Sequence, residues 1–114
     1  MIAKVYGIPN CSSVKKAIAS LKENGTEVLF HDFKKQGVPA DLLDHWINVF
    51  GLDILINRKG TTWRGLDSAQ QQQALLLGSA KALLQQNPSL IKRPIVDLQG
   101  SLVIGQTEFN KGNP

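Results

Sequence analysis

The chain has little of what a disulfide-linked or membrane-spanning protein needs. Its 114 residues include a single cysteine, Cys11, so no disulfide can form within the chain. No apolar run reaches the roughly 18 residues that a membrane-spanning helix needs. The first residues, Ile2 to Tyr6, lack the charged-then-apolar layout of a targeting segment. A lone thiol without a membrane segment predicts a soluble protein of a reducing cytoplasm.

Aromatic residues and concentrated charge are also scarce. Aromatics make up 6% of the chain, and 13 Lys and Arg against 9 Asp and Glu give a net charge of +4. The lysines are scattered, with pairs such as Lys15-Lys16 instead of a basic stripe. This pattern argues against nucleic-acid binding, which needs a clustered basic surface. A modest positive excess suits a small anionic substrate, which a few well-placed cations can attract.

The first part of the chain has the pattern of a strand, a helix and a second strand. Ile2 to Gly7 is a short apolar run that predicts the first strand. A helix follows and stops at Gly25, and its apolar residues recur at the helical period. These residues are Val14, Ala17, Ile18 and Leu21. Thr26 to Phe33 predicts the second strand, so this βαβ unit should have parallel strands and a right-handed crossover.

The remaining elements are mainly helical before a final pair of strands. We predict a helix at Pro39 to Phe50, followed by a short helical turn and a loop within Ile54 to Gly65. Two further short helices are predicted at Ala69 to Leu77 and at Ala80 to Gln86, separated near Gly78. Ile95 to Leu98 and Leu102 to Ile104 flank Gln99-Gly100-Ser101 and predict a β-hairpin. We expect a last short helix from Gln106. This order predicts an α/β class with helices packed on a four-stranded sheet.

Cys11 lies between the first strand and the first helix, and this position favours its ionisation. The first N–H groups of a helix have no partners within it, and the helix dipole favours negative charge there. We therefore expect a lowered pKa for Cys11. The amides of Ser12 and Ser13 would stabilise the thiolate, with added positive field from Lys15 or Lys16. The alternative is that Cys11 is only a small buried apolar residue.

The surroundings of Cys11 in the sequence hold no second thiol and no metal-binding pattern. Three positions later stands Val14, so the chain has no Cys-x-x-Cys pair. Any redox cycle then needs a thiol from another molecule, and glutathione is the expected one. His31 and His45 have no ligand-like spacing with Cys11 or with each other, so we predict no metal site. We place His31 on a strand and His45 on a helix surface.

Several segments resemble the arsenate reductase (ArsC) family, in the same order along nearly the whole chain. They are Tyr6-Gly7-Ile8-Pro9-Asn10-Cys11-Ser12-Ser13-Val14-Lys15-Lys16-Ala17, then Gly25-Thr26, then Ile56-Asn57-Arg58-Lys59, and then Asn87-Pro88-Ser89-Leu90-Ile91-Lys92-Arg93-Pro94-Ile95-Val96. The Arg-Pro-Ile-Val element is the most specific of them. The branch that the chain looks most like is that of the YffB-like proteins, which also resemble the Spx transcriptional regulators.

The resemblance implies a thioredoxin-like fold. It implies a single domain over 1–114, with a four-stranded mixed sheet and a helical insertion at about 38–90 between the βαβ and ββα halves. It also implies that Cys11 attacks an oxyanion or a mixed disulfide, and that Arg58 and Arg93 bind the anion. Pro94 matches the proline that is expected to be cis and packed against the cysteine turn.

Two departures from the family pattern weaken the case for arsenate itself. The third family arginine falls on the stretch from Val103 to Thr107, where this chain has Gly105, and the histidine upstream of the family cysteine is replaced at Gly7. The two remaining arginines suit a glutathione carboxylate or another thiol adduct. From the residues alone, the residue type and position of Arg93 favour a solvated residue before an extended segment, and Arg58 is equally a cation at a helix C-terminus.

These features predict a glutathione-dependent thiol oxidoreductase with Cys11 as the nucleophile. The predicted substrate and glutathione site comprises Ser12, Ser13, Lys15, Arg58, Arg93 and Pro94. We expect a monomer that does not bind membranes, with glutathione as co-substrate, glutaredoxin as a partner and a small anionic or thiol substrate. Two alternatives stay open: a genuine arsenate reductase, and an Spx-like regulator that binds RNA polymerase. Val14 removes the Cys-x-x-Cys switch that regulators of that type resemble.

Overall fold

The computed structural model describes residues 2–109 and divides them into two compact units. One unit comprises residues 2–36 and 93–109, and the other Gly37–Lys92. The second unit agrees closely with the helical insertion predicted at about 38–90. The assignment of 1–114 to a single domain stays a prediction. Among the described residues, no helix is long and apolar enough to cross a membrane.

The first unit is built on a four-stranded sheet. Strand β1 (Ile2–Gly7) leads through helix α1 (Ser12–Glu23) to strand β2 (Glu27–Asp32), which runs parallel to β1. Strands β3 (Ile95–Leu98) and β4 (Ser101–Ile104) form an antiparallel pair, and β3 lies antiparallel to β1. The strand order is β2-β1-β3-β4. The predicted α/β class, mixed four-stranded sheet, βαβ unit and hairpin are confirmed.

Local sequence signals account for the ends of α1 and for the hairpin turn. Gly25 adopts a left-handed φ of +79° and donates its N–H to the Lys22 carbonyl, which ends α1 as expected for a glycine there. The loop between β3 and β4 has two residues, Gln99 and Gly100, with φ of +56° and +101°. Positive φ at both positions is the mark of a type I′ turn, which matches the twist of a hairpin.

The apolar face of α1 covers one face of this sheet. Its buried side chains share a core with alternate residues of the strands, because successive side chains of a strand point to opposite faces. The core comprises Ala3, Val5, Val14, Ala17, Leu21, Val96, Leu98 and Phe109, and Cys11 packs against its edge. The same period of 3.6 residues that predicted the helix therefore explains which of its residues are buried.

Two predictions at the edges of this unit need correction. Strand β2 ends at Asp32 and not at Phe33, where a short helix α2 (Phe33–Gln36) begins. Asp32 stops the strand because its Oδ1 accepts the Lys34 N–H and its own N–H donates to Gln36 Oε1. The helix expected from Gln106 is absent over residues 106–109, and the rest of that prediction lies outside the described residues. Ser20 of α1 and Asn24, the residue that caps the end of α1, donate to the Phe109 carbonyl, which holds this segment in a non-helical conformation.

The second unit is entirely helical apart from one isolated bridge. Its elements are α3 (Ala40–Phe50), α4 (Leu52–Leu55), α5 (Thr61–Arg64), α6 (Ser68–Leu75), α7 (Leu77–Gln86) and a 3₁₀ turn at Pro88–Leu90. The bridge joins Ile56 to Ile91. The segment 54–65 therefore contributes to two helical turns where one was predicted. The break between α6 and α7 lies at Leu76, whose backbone is extended, and not near Gly78.

Candidate active site

Cys11 is held at the start of α1 by a tight turn that follows β1. Its N–H donates to the Ile8 carbonyl at 3.2 Å, and its own carbonyl accepts the Lys15 N–H at 3.0 Å. The backbone of Cys11 is extended, with φ of −100° and ψ of 123°, so Cys11 is the N-cap residue of the helix. The thiol is half-buried. A side chain at this position faces the first free amides of the helix.

Opposing effects act on the ionisation of the Cys11 thiol. Partial burial is the largest and raises the pKa. Hydrogen bonds to the thiolate from the Val14 N–H, the Arg93 guanidinium and the Ser13 N–H lower it, and so does the positive charge of Arg93. The lowering effects together outweigh burial, and the pKa of Cys11 lies below its ordinary value. The expectation of a lowered pKa is confirmed.

The donors to the thiolate differ in part from those the sequence predicted. With Cys11 as N-cap, Ser13 and Val14 occupy the second and third positions of α1, whose amides are the ones that an N-cap side chain reaches. Of the two amides predicted from the sequence, that of Ser13 is among the groups that lower the pKa of Cys11, and Val14 was missed. The capping rule applied to Cys11 would have found Val14. Ser12 and Lys15 are exposed near the start of α1, and their binding roles stay predictions.

Strand pairing brings Arg93 to the cysteine. Tyr6 of β1 lies opposite Ile95 of β3 in an antiparallel register. The residues that follow β1 and those that precede β3 therefore lie at the same end of the sheet. The Arg93–Pro94 peptide is cis, as predicted, and Pro94 is buried. Arg93 Nε is buried as well.

Gly105 follows β4 and is attached to the same segment. Its N–H donates to the Pro94 carbonyl at 2.8 Å, and its φ is +72°. Residues other than glycine adopt this left-handed conformation at a cost. An arginine at position 105 would therefore strain the backbone next to Pro94. Gln106, the next residue, is the better place to test an added cation in this stretch.

Arg58 lies in the second unit, where neighbouring side chains engage it. Its Nη2 is 2.7 Å from Asp53 Oδ1, and its guanidinium carbon lies 5.8 Å from the centroid of the Trp63 ring. These contacts are an ion pair and a cation–π interaction at a partly exposed position. The anion-binding role that the family resemblance implies for Arg58 stays a prediction.

The two histidines lie where the sequence predicted them. His31 is on β2, with its ring between those of Tyr6 and Phe33 at centroid distances of 5.3 and 6.0 Å. His45 is exposed on α3. Within residues 2–109, no group of three or more His, Cys, Asp or Glu side chains is arranged to hold a metal ion.

Comparison with known proteins places this thiol site in a family. The model of the ArsC family matches residues 6–110, a span that includes Cys11, Arg58 and Arg93. The chain belongs to the ArsC family. It is similar to an uncharacterized protein of Haemophilus influenzae, with 41% identity over 104 residues that cover 91% of this chain and 90% of the relative.

Solved structures support the ArsC assignment and the expected branch. A YffB protein is 37% identical with a TM-score of 0.83, covering 90% of this chain and 89% of its own. An arsenate reductase (ArsC) related protein from Brucella melitensis is also 37% identical, with a TM-score of 0.75 and coverage of 93% and 88%. The chain thus has the thioredoxin-like fold of an arsenate reductase-like thiol oxidoreductase of the ArsC family.

Proposed function

We propose that this ArsC-family chain is a glutathione-dependent thiol oxidoreductase that uses Cys11 as its only nucleophilic thiol. One observation carries the proposal. The Cys11 thiolate is stabilised by two helix amides and by Arg93, in a chain that has no other cysteine. A thiolate of this kind is a good nucleophile and also a good leaving group in thiol–disulfide exchange. Without a resolving cysteine in the chain, release of an adduct requires a second thiol from outside.

The proposed cycle has two exchange steps. The Cys11 thiolate attacks the glutathione sulfur of a mixed disulfide; a bond forms between Cys11 Sγ and that sulfur, the old S–S bond breaks, and the other thiol leaves as a thiolate that takes a proton from water. A second glutathione thiolate then attacks the adduct, which gives oxidised glutathione and restores the Cys11 thiolate. Overall, the mixed disulfide and one free glutathione thiol give the reduced substrate thiol and one molecule of oxidised glutathione.

Arg93 has a part in both states of this cycle. In the resting protein its guanidinium hydrogen-bonds the thiolate. When Cys11 carries an adduct, its sulfur is neutral, and the guanidinium can then bind a carboxylate of the attached glutathione. Arg58, by its match to the family motif, is proposed as a second carboxylate-binding cation. Glutaredoxin is the proposed recycling partner.

The proposal is tested by adduct formation and turnover. After treatment with oxidised glutathione, mass spectrometry should find one glutathionyl group on the wild type and none on Cys11→Ser. Reduction of a small glutathione mixed disulfide should fall about tenfold or more in Arg93→Ala, since a hydrogen bond to a charged group is worth roughly 1.5–3 kcal/mol. Arg58→Ala should also lower turnover. Lys92→Ala and Arg64→Ala, which change exposed cations in the same segments, should retain it.

Activity on arsenate distinguishes the proposed function from that of a genuine arsenate reductase. A dense oxyanion gains more from a third cation than glutathione does, and the family's third arginine is missing from this chain. We therefore expect weak or absent arsenate reduction by the wild type and a gain of arsenate binding in Gln106→Arg. Efficient wild-type arsenate turnover, or the absence of any glutathione adduct, would contradict the proposal. Capture of RNA polymerase by a protein that takes up no glutathione would favour the Spx-like alternative.

A further inference from the structure

The last residue of β1 approaches the first turn of α1 unusually closely. A Cβ atom added to Gly7 would lie 2.6 Å from Val14 Cγ2, with Val14 Cγ1 at 3.6 Å and Val14 Cβ at 3.7 Å. Carbon atoms in good contact are about 3.5–4.0 Å apart. One methyl group of one side chain is therefore the whole obstacle to a residue other than glycine at position 7.

Neither partner in this approach can move away freely. Val14 is fully buried in the core between α1 and the sheet, and a β-branched side chain in a helix has one strongly preferred rotamer. Strand β1 is central in the sheet and is paired on both sides, with β2 through Gly7 and with β3 through Tyr6. A side chain at position 7 would therefore displace the backbone of the first turn of α1. That turn can shift because the loop of residues 8–11 is its only covalent connection to β1.

The first turn of α1 also supplies the amides that hold the thiolate. The N–H groups of Val14 and Ser13 are both donors to Cys11. We propose that Gly7 is a positioning residue for Cys11: because position 7 has no side chain, Val14 does not clash with the end of β1, and the first turn of α1 can keep the amides of Ser13 and Val14 directed at the sulfur. The inference deepens the proposed function because it rests on Cys11 acting as a thiolate.

The charged groups around Cys11 allow this effect to be measured separately. Arg93, from the segment before β3, is the charged side chain that acts on the thiol in the described part of the chain. Lys15 and Lys16 on α1 are exposed. Replacing Gly7 by alanine changes none of these charges. A change in the titration of Cys11 in that variant therefore reports on the placement of the helix turn.

The experiment measures the rate of iodoacetamide alkylation of the reduced protein across pH. In Gly7→Ala we expect the midpoint for Cys11 to move to higher pH and the rate at pH 7 to fall about threefold to tenfold, as for a weakened hydrogen bond to an anion. Gly78→Ala is the matched control, because a Cβ there meets nothing within 4 Å, and it should titrate like the wild type. No glutathione is used, so this result is independent of the proposed reaction.

A compensating variant distinguishes positioning from general damage. In Gly7→Ala with Val14→Ala, the atom of residue 14 nearest the new Cβ is its own Cβ, at the ordinary contact distance of 3.7 Å. The backbone amide of residue 14 is retained, so the midpoint should return toward that of the wild type, and Val14→Ala alone should leave it unchanged. A wild-type midpoint in Gly7→Ala, or a raised midpoint that the double variant does not restore, would overturn the proposal. If Gly7→Ala does not fold, recovery of the fold in the double variant is expected, and an equally unfolded double variant would overturn it.

Discussion

Arg93 contributes to the Cys11 site both as a hydrogen-bond donor and as a charge. Both effects lower the pKa of the thiol, while burial raises it. The amides of Ser13 and Val14 cannot be removed by changing a side chain, since they belong to the backbone. Substitution of Arg93 is therefore the most direct single-residue test of what stabilises the thiolate.

At this scale we predict that Arg93→Gln raises the pKa of Cys11. The variant removes the positive charge and shortens the side chain, so the thiolate loses a charge-assisted hydrogen bond. Alkylation at pH 7 should slow by about tenfold. Lys92→Gln changes the neighbouring exposed cation and should alkylate like the wild type. Equal rates for Arg93→Gln and the wild type would mean that the helix amides alone stabilise the thiolate.

The hairpin of β3 and β4 places a non-glycine residue in a demanding conformation. Gln99 has a φ of +56° in a two-residue turn, and Gly100 donates its N–H to Asp97 Oδ1 at 2.7 Å. Asparagine tolerates the left-handed region better than glutamine, and Asn-Gly is the favoured type I′ pair. A residue better suited to positive φ at position 99 should therefore stabilise the hairpin.

At the level of this element we predict that Gln99→Asn raises the free energy of unfolding by roughly 0.5 kcal/mol. Gln99→Thr should change it in the opposite direction, because a β-branched residue adopts positive φ poorly. Urea denaturation of the three proteins measures both changes. Residue 99 is exposed and is not part of the Cys11 site, so alkylation of the thiol should be the same in all three. Equal stability of the two variants would contradict the turn assignment.

Ionisation of Cys11 links the site to the stability of the whole molecule. The pKa of the thiol is lower in the folded protein than its ordinary value of 9.0. Between these two pKa values the unfolded chain binds the proton and the folded chain does not, so stability rises with pH. The contribution is fully present above the unfolded pKa and is lost as pH falls through the folded pKa.

We therefore predict that the reduced wild type gains stability over Cys11→Ser as pH rises toward the unfolded thiol pKa. Serine does not ionise in this range, so the difference between the two proteins isolates the thiol. Urea denaturation at several pH values under reducing conditions measures it. Tyr6, whose pKa is raised by burial and by Asp97, acts in the opposite sense only near and above its ordinary pKa of about 10, and is common to both proteins. Parallel stability curves would contradict the thiolate linkage.

Local patterns in the sequence were sufficient to predict the elements whose formation depends on residues close together along the chain. Strand β1, helix α1 with its end at Gly25, and the β-hairpin follow from short-range periodicity, capping and turn chemistry. The position of Cys11 at a helix N-terminus follows from the same local rules. Arg93 was identified as a candidate site residue from its place in the Arg-Pro-Ile-Val motif. The local preferences of an arginine before a proline do not indicate such a role.

Contacts between distant segments were decided only by the tertiary structure. Arg93 reaches Cys11 because β1 and β3 pair with Tyr6 opposite Ile95, and a register of this kind is not encoded by either strand alone. The closeness of Gly7 to Val14 likewise depends on how tightly α1 lies on the sheet. The sequence by itself determined which residue carries the reactive thiol. The tertiary structure decided which groups stabilise that thiol as a thiolate, because those groups meet only when the helix and strands pack together.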